Sequence, residues 1–157
     1  MNKNAVYIGL SLFGLIIIGA YMALPKGIRN NNPTNIRFNS ANAWDGQSGQ
    51  DGTGFATFSS ATLGIRAGAK LLRNYQRNSG LSSIREVLTR WAPSSENNTE
   101  SYIKHVVQLT GIGADEFLRL QNEQVLVSVV SAIIKHENGI NPYTDDVIAA
   151  GVALAFT

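Results

Sequence analysis

The stretch NEQVLVSVVSAIIKHENG, residues 122–139, decides the fold of this chain. Its apolar residues cover most of a helical circumference, which is typical of a helix buried at the centre of a domain. Asn122 belongs to the residue types that cap helix starts, and Gly139 to the type that most often ends helices. The sequence therefore predicts one central apolar helix that carries Glu137 at its C-terminal end.

Glu137 is the candidate for chemistry in this helix. The negative end of the helix dipole and an apolar core both disfavour ionisation of a carboxyl group placed there. A carboxylic acid that keeps its proton can act as a general acid on a leaving oxygen. The alternative is an ordinary solvent-exposed helix end beside Lys135 and His136, and the local pattern by itself favours that alternative.

Composition excludes several classes of function. Ten basic and eleven acidic groups lie in residues 30–157, because three of the thirteen basic residues precede them. This balance argues against a nucleic-acid partner bound through phosphate contacts. The chain has no cysteine, and His105 and His136 lack the spacing of metal ligands, so neither a metal nor another cofactor is expected.

An uncharged apolar run, AVYIGLSLFGLIIIGAYMAL, occupies residues 5–24. As a helix it would cover the roughly 30 Å hydrocarbon core of a lipid bilayer. A cleaved signal peptide is the alternative, but its apolar region is normally shorter and ends at a small-x-small site that is missing here. The sequence predicts a transmembrane anchor in residues 1–25 and one domain in residues 26–157.

The remaining chain predicts a mainly α domain with a long irregular loop and short strands. Residues 27–58 are rich in Asn, Gly, Ser and Asp, which indicates loop with extended pieces at residues 35–38 and 54–58. From Ser60 onward, helical periodicity and capping residues predict successive helices, including a short one within residues 111–120. Pro93 is expected to stop the helix that ends near Trp91.

AIIKHENGINPYTDD, residues 132–146, resembles the catalytic-helix segment of lysozyme-like lytic transglycosylases. In that family an apolar helix ends in Glu-Ser-Gly and continues into Asn-Pro. The resemblance implies that Glu137 is the catalytic acid and base, and it matches Gly139 and Asn141-Pro142 to the residues that follow. Asn138 departs from the pattern, because the family usually has serine there.

NNNPTNIRFN, residues 30–39, and GFATFSSATLGIRAGAKLLRNY, residues 54–75, are similar to part of bacterial glucosaminidases and related lysozyme-fold domains. In those proteins this part follows the glutamate helix, whereas here it precedes that helix. The two pieces imply a lysozyme-like domain in circularly permuted order, which is tolerable when the original termini lie close together.

GIRNNNPTNIRFN, GQDGTGFATFSS, RWAPSSENNTESYI and AIIKHENG together resemble a family of phage virion structural proteins, over about residues 27–150. This resemblance implies other virion proteins as partners. With the predicted anchor, it also implies a single-pass membrane protein of a virion's internal membrane or entry apparatus. The other location it implies is the host inner membrane, with the domain facing the periplasm.

The expected function is a membrane-anchored virion protein that cleaves peptidoglycan between N-acetylmuramic acid and N-acetylglucosamine. Lytic transglycosylase chemistry needs Glu137 alone, whereas a hydrolase needs a second carboxylate, for which Asp45 and Asp51 are candidates. The alternative is a non-enzymatic phage structural protein that binds peptidoglycan or links an internal membrane to the capsid.

Contacts to a peptidoglycan glycan strand are expected from polar and aromatic side chains of the loop and of the segment after the helix. Amide, guanidinium and hydroxyl groups would bond the sugar substituents, and aromatic rings would stack on the sugars. Each has a structural alternative in turns, surface pairs or the core, and Trp91 is expected in the core. The predicted substrate-binding residues are Asn35, Arg37, Trp44, Gln50, Phe55, Asn141 and Tyr143.

Overall fold

The computed structural model of the protein describes residues 23–94 and 98–157, and six α-helices and two β-strands lie within these ranges. The helices pack around one main core, and the strands form a small sheet beside it. The elements are α1 Lys26–Arg29, β1 Gln47–Gln50, β2 Ala56–Phe58, α2 Ala61–Ser79, α3 Ile84–Trp91, α4 Thr99–Thr110, α5 Glu123–Asn138 and α6 Asp145–Ala153, followed by a 3-10 turn at Leu154–Phe156.

The central helix, α5, has the predicted limits. The Asn122 side chain accepts a hydrogen bond from the Val125 N–H at 3.0 Å, and Gly139 ends the helix with a left-handed φ of 70°. Leu126, Val130 and Ile133 are fully buried, so the helix does run through the main core. The prediction of a buried central helix with Glu137 in its last turn is therefore confirmed.

The helices around α5 are also defined by local signals. The Ser60 hydroxyl accepts a hydrogen bond from the N–H of Leu63 at the start of α2, and the Ser83 hydroxyl accepts one from Glu86 at the start of α3. Helix α3 ends at Trp91, two residues before Pro93, as predicted. Because these caps satisfy N–H groups that a helix start leaves unpaired, the boundaries follow from the sequence.

The sheet is antiparallel and pairs Gln50 with Ala56 and Gln47 with Phe58, with a bulge between these pairs. Strand β2 falls within the predicted extended piece 54–58. The other predicted piece, residues 35–38, contributes one isolated bridge, from Arg37 to Phe55. Strand β1 was not predicted, because QSGQ contains none of the β-branched or aromatic residues that favour strands.

The asparagine-rich loop, residues 30–42, packs directly on α2. A Cβ atom at Gly64 would lie 1.9 Å from the carbonyl oxygen of Asn31, and one at Gly68 would lie 2.5 Å from the Thr34 hydroxyl. Two glycines four residues apart therefore let the loop backbone lie directly on the helix. The loop is fixed from within by Asn32, which is fully buried and bonds Ile36 through both its amide nitrogen and its amide oxygen.

The short helix predicted within residues 111–120 is wrong, because this segment contains a turn and otherwise has no regular secondary structure. The N–H of Gly113 bonds the Glu116 carboxylate at 3.0 Å, and the N–H of Leu118 bonds the Ser82 carbonyl at 2.7 Å. These partners lie outside a helical ladder, so tertiary contacts to the loop before α3 override the local helical pattern.

The predicted fold class is corrected with respect to the membrane. Within residues 23–94 and 98–157, no helix is both long and apolar enough to cross a bilayer. Helix α2 has 19 residues but contains four basic side chains between Arg66 and Arg77. The predicted span, residues 5–24, lies outside the described residues except for its last two positions. The fold class of residues 23–94 and 98–157 is therefore a small, mainly helical domain with a two-stranded sheet, and none of its helices spans a membrane.

Candidate active site

Glu137 faces an open groove of about 970 Å³. One wall is the loop from Asn35 to Asn42, and the opposite wall combines the end of α3 with Leu71 and Tyr75 of α2. Helix α5 ends at the groove because Gly139 stops it one turn after the buried core residues. The sequence-predicted acid is thus partly buried, at the border between the core and a solvent-filled cleft.

Both carboxyl oxygens of Glu137 accept a hydrogen bond. The side-chain amide of Asn35 donates to Oε2 at 2.8 Å, and the hydroxyl of Tyr102 donates to Oε1, also at 2.8 Å. The donors come from the loop and from α4, so two separate parts of the fold fix the plane of the carboxyl group. Within residues 23–94 and 98–157, no ion pair involves Glu137.

Tyr102 is a neutral hydrogen-bond donor to Glu137. Its side chain is almost fully buried in the main core. Burial, then the negative charge of Glu137 and the hydrogen bond to it, raise the pKa of Tyr102 well above the ordinary tyrosine value. The hydroxyl therefore keeps its proton at neutral pH and directs it at the carboxylate.

His136 stacks on the face of the Tyr102 ring, and His105 in turn bonds His136. The His136 ring lies parallel to the Tyr102 ring, with 3.6 Å between centroids and 9° between planes. His105 Nδ1 and His136 Nδ1 are 2.9 Å apart, so one ring donates a hydrogen bond to the other. Burial and the nearby charge of His105 lower the pKa of His136, which favours the neutral ring at neutral pH. In the described part of the chain, no group of three or more His, Asp or Glu residues could hold a metal ion.

Asn35 was predicted to bind substrate, and the structure places it at the groove as a partner of Glu137. Its φ is 53°, in the left-handed region that asparagine adopts more readily than most residues. This backbone state turns the side chain towards the end of α5. The amide nitrogen is engaged by Glu137, so Asn35 orients the carboxylate in the free protein.

Two further predicted contact residues, Arg37 and Phe55, line the same groove. Two cationic side chains lie against the Phe55 ring, with Lys26 Nζ at 3.9 Å and Arg37 Cζ at 5.0 Å from the ring centroid. These are cation–π distances.

The other predicted contact residues do not line the groove. Trp44 packs into the small core beneath the sheet, and Gln50 is an exposed residue of β1. Asn141 bonds the Ser131 hydroxyl at 3.0 Å and accepts the N–H of Tyr143, so it builds the turn after α5. The Tyr143 ring packs against the main core, and burial raises its pKa.

Sequence reasoning missed Tyr102 altogether and placed Trp91 in the core. Trp91 does pack against both cores, and it also lines the groove together with Tyr75 and Arg90. The signal available for Tyr102 was its place beside Ile103 on the buried face of α4, because a buried tyrosine hydroxyl needs a partner. Nothing local identifies that partner as Glu137.

The candidates for a second catalytic carboxylate have structural roles. Asp51 accepts hydrogen bonds from Thr53, Phe55 and Asn30 and closes a turn. Burial acts to raise the pKa of Asp51, but these hydrogen bonds outweigh it and hold the pKa well below its usual range. Asp45 pairs with Arg66 at 2.7 Å. Among the described residues that line the groove, Glu137 is the one acidic side chain.

The fold and this site define a class of protein: a small helical domain that presents one glutamate, held by an amide and a phenol, in an aromatic-lined groove. No family model matches the chain. It is 41% identical to Protein P5 of Pseudoalteromonas phage PM2 over 156 residues, which are 98% of this chain and 93% of that protein. The chain therefore belongs to the family of this phage protein.

Proposed function

We propose that the protein is a virion protein that binds peptidoglycan glycan strands in its groove and cleaves them with Glu137 as acid and base. The observation that carries the proposal is the orientation of Glu137, which two neutral donors fix at a groove with no second carboxylate among its described residues. The resemblance of residues 132–146 to the catalytic helix of lytic transglycosylases supports the same assignment.

The geometry favours the mechanism that needs one carboxyl group. In the first step Glu137, which takes up a proton in the complex with the glycan, gives this proton to the oxygen between N-acetylmuramic acid and N-acetylglucosamine, and the bond from the anomeric carbon to that oxygen breaks. In the second step, the Glu137 carboxylate takes the proton of the muramic 6-hydroxyl, whose oxygen bonds to the anomeric carbon. The products are a 1,6-anhydro sugar end and a free hydroxyl on the other fragment, so no water is consumed.

The groove also has the composition that glycan binding requires. Phe38, Phe55, Tyr75 and Trp91 line it with apolar ring surface, which suits the apolar faces of sugar rings. Arg37 and Arg90 add positive charge, which suits the carboxylates of muramic acid and its peptide stem.

The test is digestion of purified peptidoglycan by the full chain, with mass spectrometry of the released muropeptides. We expect anhydro-muropeptides from the wild type and none above background from Glu137→Gln. Glu123→Gln, an exposed glutamate in the first turn of the same helix, is the matched control and is expected to match the wild type. Release of reducing-end products, or an active Glu137→Gln variant, would contradict the one-carboxylate mechanism.

A second candidate is a non-enzymatic virion protein that uses the groove to bind peptidoglycan. The observation that favours it is that Glu137 already has a hydrogen bond on each oxygen, which also suits a purely recognising carboxylate. In a sedimentation assay this protein would bind insoluble peptidoglycan and release no muropeptides. Groove variants such as Trp91→Ala would then weaken binding. The Glu137→Gln variant and the wild type would both release no muropeptides.

A further inference from the structure

Gly27 lies buried in α1, directly against the end of the central helix. A Cβ atom on Gly27 would lie 2.6 Å from Asn138 Oδ1, 2.7 Å from Asn35 Oδ1 and 3.0 Å from the carbonyl oxygen of Asn32. Gly27 has ordinary helical backbone, so its conformation does not require glycine. The requirement is for space, and the groups that fill this space belong to the site.

The two side chains that face Gly27 are the ones that join the loop to α5. Asn35 donates to Glu137, and Asn138 donates to the carbonyl oxygens of Pro33 at 2.7 Å and Ile134 at 2.9 Å. The amide oxygens of Asn35 and Asn138 are buried and have no hydrogen-bond partner among the described residues. They are therefore held by the close fit to Gly27 and by the bonds of their own nitrogens.

The amide of Asn35 is rigid and planar, so its oxygen and nitrogen move together. Ordinary contact with a new Cβ needs about 3.4 Å, which means that the oxygen, now at 2.7 Å, must move by about 0.7 Å. The hydrogen bond to Glu137 is 2.8 Å long, and a displacement of this size directed away from Glu137 would take it to the edge of hydrogen-bonding distance. The far end of the side chain can swing, so the contact can be lost without unfolding the domain.

We propose that Gly27 is a positioning residue. Because Gly27 has no side chain, the Asn35 amide has room to lie where its nitrogen donates to Glu137. The catalytic consequence rests on the proposed function, whereas the positioning of Asn35 does not. Gly27, which does not line the groove, thus sets the orientation of the acid through one intermediate side chain.

The test compares Gly27→Ala, Asn35→Ala and the double variant in the full chain. For muropeptide release we expect Gly27→Ala and Asn35→Ala each to lower kcat by about tenfold or more with KM within twofold, as for loss of a hydrogen bond to a charged group. In the Asn35→Ala background, Gly27→Ala should lower kcat less than it does in the wild type, because the part of its effect that acts through Asn35 is gone, whereas the contact with Asn138 Oδ1 at 2.6 Å is the same in both backgrounds. Gly52→Ala, where a Cβ meets nothing within 4 Å, is the matched control.

A second readout is independent of catalysis. The side-chain NH₂ signals of Asn35 in an NMR spectrum should shift in Glu137→Gln, and should shift in Gly27→Ala but not in Gly52→Ala. If the wild type releases no muropeptides, the proposed function fails and these signals alone decide the positioning of Asn35. Unchanged Asn35 signals in a folded Gly27→Ala variant would overturn the inference.

Folding itself gives the remaining comparison. If Gly27→Ala fails to fold but Gly27→Ala/Asn35→Ala folds, the clash is with Asn35 and the inference is supported. If the double variant also fails to fold, the space at Gly27 is needed for Asn138 and the loop backbone rather than for Asn35, and the inference is overturned. Equal, additive losses of kcat in both backgrounds would overturn it as well.

Discussion

Replacing Tyr102 by Phe removes one hydroxyl and keeps the shape of a nearly fully buried ring. The lost interaction is a 2.8 Å hydrogen bond to the Glu137 carboxylate. Hydrogen bonds to charged groups contribute about 1.5–3 kcal/mol, and no cavity is created, so we expect the free energy of unfolding at pH 7 to fall by that amount. For a domain of this size, each kcal/mol corresponds to about 2–4 °C in Tm.

The same substitution has a predictable effect at high pH. The folded-state pKa of Tyr102 lies above that of an unfolded tyrosine, about 10, so the folded state binds more protons once the pH exceeds 10. This contribution to stability is complete below about pH 10 and is lost as the pH rises further. The free energy of unfolding of Tyr102→Phe should therefore fall less steeply above pH 10 than that of the wild type. Part of the fall remains in the variant, because burial also raises the pKa values of Tyr75 and Tyr143.

The assay is urea unfolding followed by tryptophan fluorescence at pH 7 and at several values above pH 9. Tyr143→Phe is the control, because its half-buried hydroxyl has no hydrogen-bond partner among the described residues, and it should stay within about 0.5 kcal/mol of the wild type. In a Glu137→Gln background the cost of Tyr102→Phe should shrink. A Tyr102→Phe variant as stable as the wild type at pH 7 would refute the reasoning.

Two further predictions concern the supports of the site. The lowered pKa of His136 means that the unfolded chain binds more protons than the folded protein below about pH 6.5, so stability should fall as the pH drops through this range. In thermal melts between pH 7.5 and 5, His136→Gln should make the stability depend less on pH. A wild type with equal Tm at both ends would contradict this. Asn32→Ala should lower the free energy of unfolding by about 2–4 kcal/mol, because it leaves the buried N–H of Ile36 and the carbonyl of Ala56 unpaired. The exposed Asn39→Ala should cost less than about 0.5 kcal/mol, and an equal cost for both would argue against a rigid loop.

The residues predicted to contact substrate fall into two groups: some line the groove, and others have structural roles around Glu137 and in the turn after α5. Arg37 and Phe55 line it and remain predicted substrate contacts, whereas Asn35 already bonds the candidate acid. Asn141 and Tyr143 shape the chain that leaves α5, although they follow Glu137 closely in sequence. Proximity along the chain is therefore a poor guide to the groove, because the left-handed turn at Gly139 sends the chain away from it.

Local interactions explain why the helical part of the fold could be predicted. The start of α5 is fixed by a side chain three residues before the N–H it caps, its end by one glycine, and its burial by apolar residues on nearly all sides. Each of these effects acts within one or two helical turns, so it can be read from neighbouring residues. The segment 111–120 shows the limit, because its backbone bonds to Ser82 rather than to itself.

The sequence by itself determined the central helix, its limits and the place of Glu137 at its end. The environment of that glutamate depended on tertiary structure, because its partners Asn35 and Tyr102 are 102 and 35 residues away along the chain. They meet Glu137 because the asparagine-rich loop lies on Gly64 and Gly68 of α2 and because α4 packs against α5. Contacts of this kind depend on which surfaces fit together, and no periodicity or capping pattern records that fit.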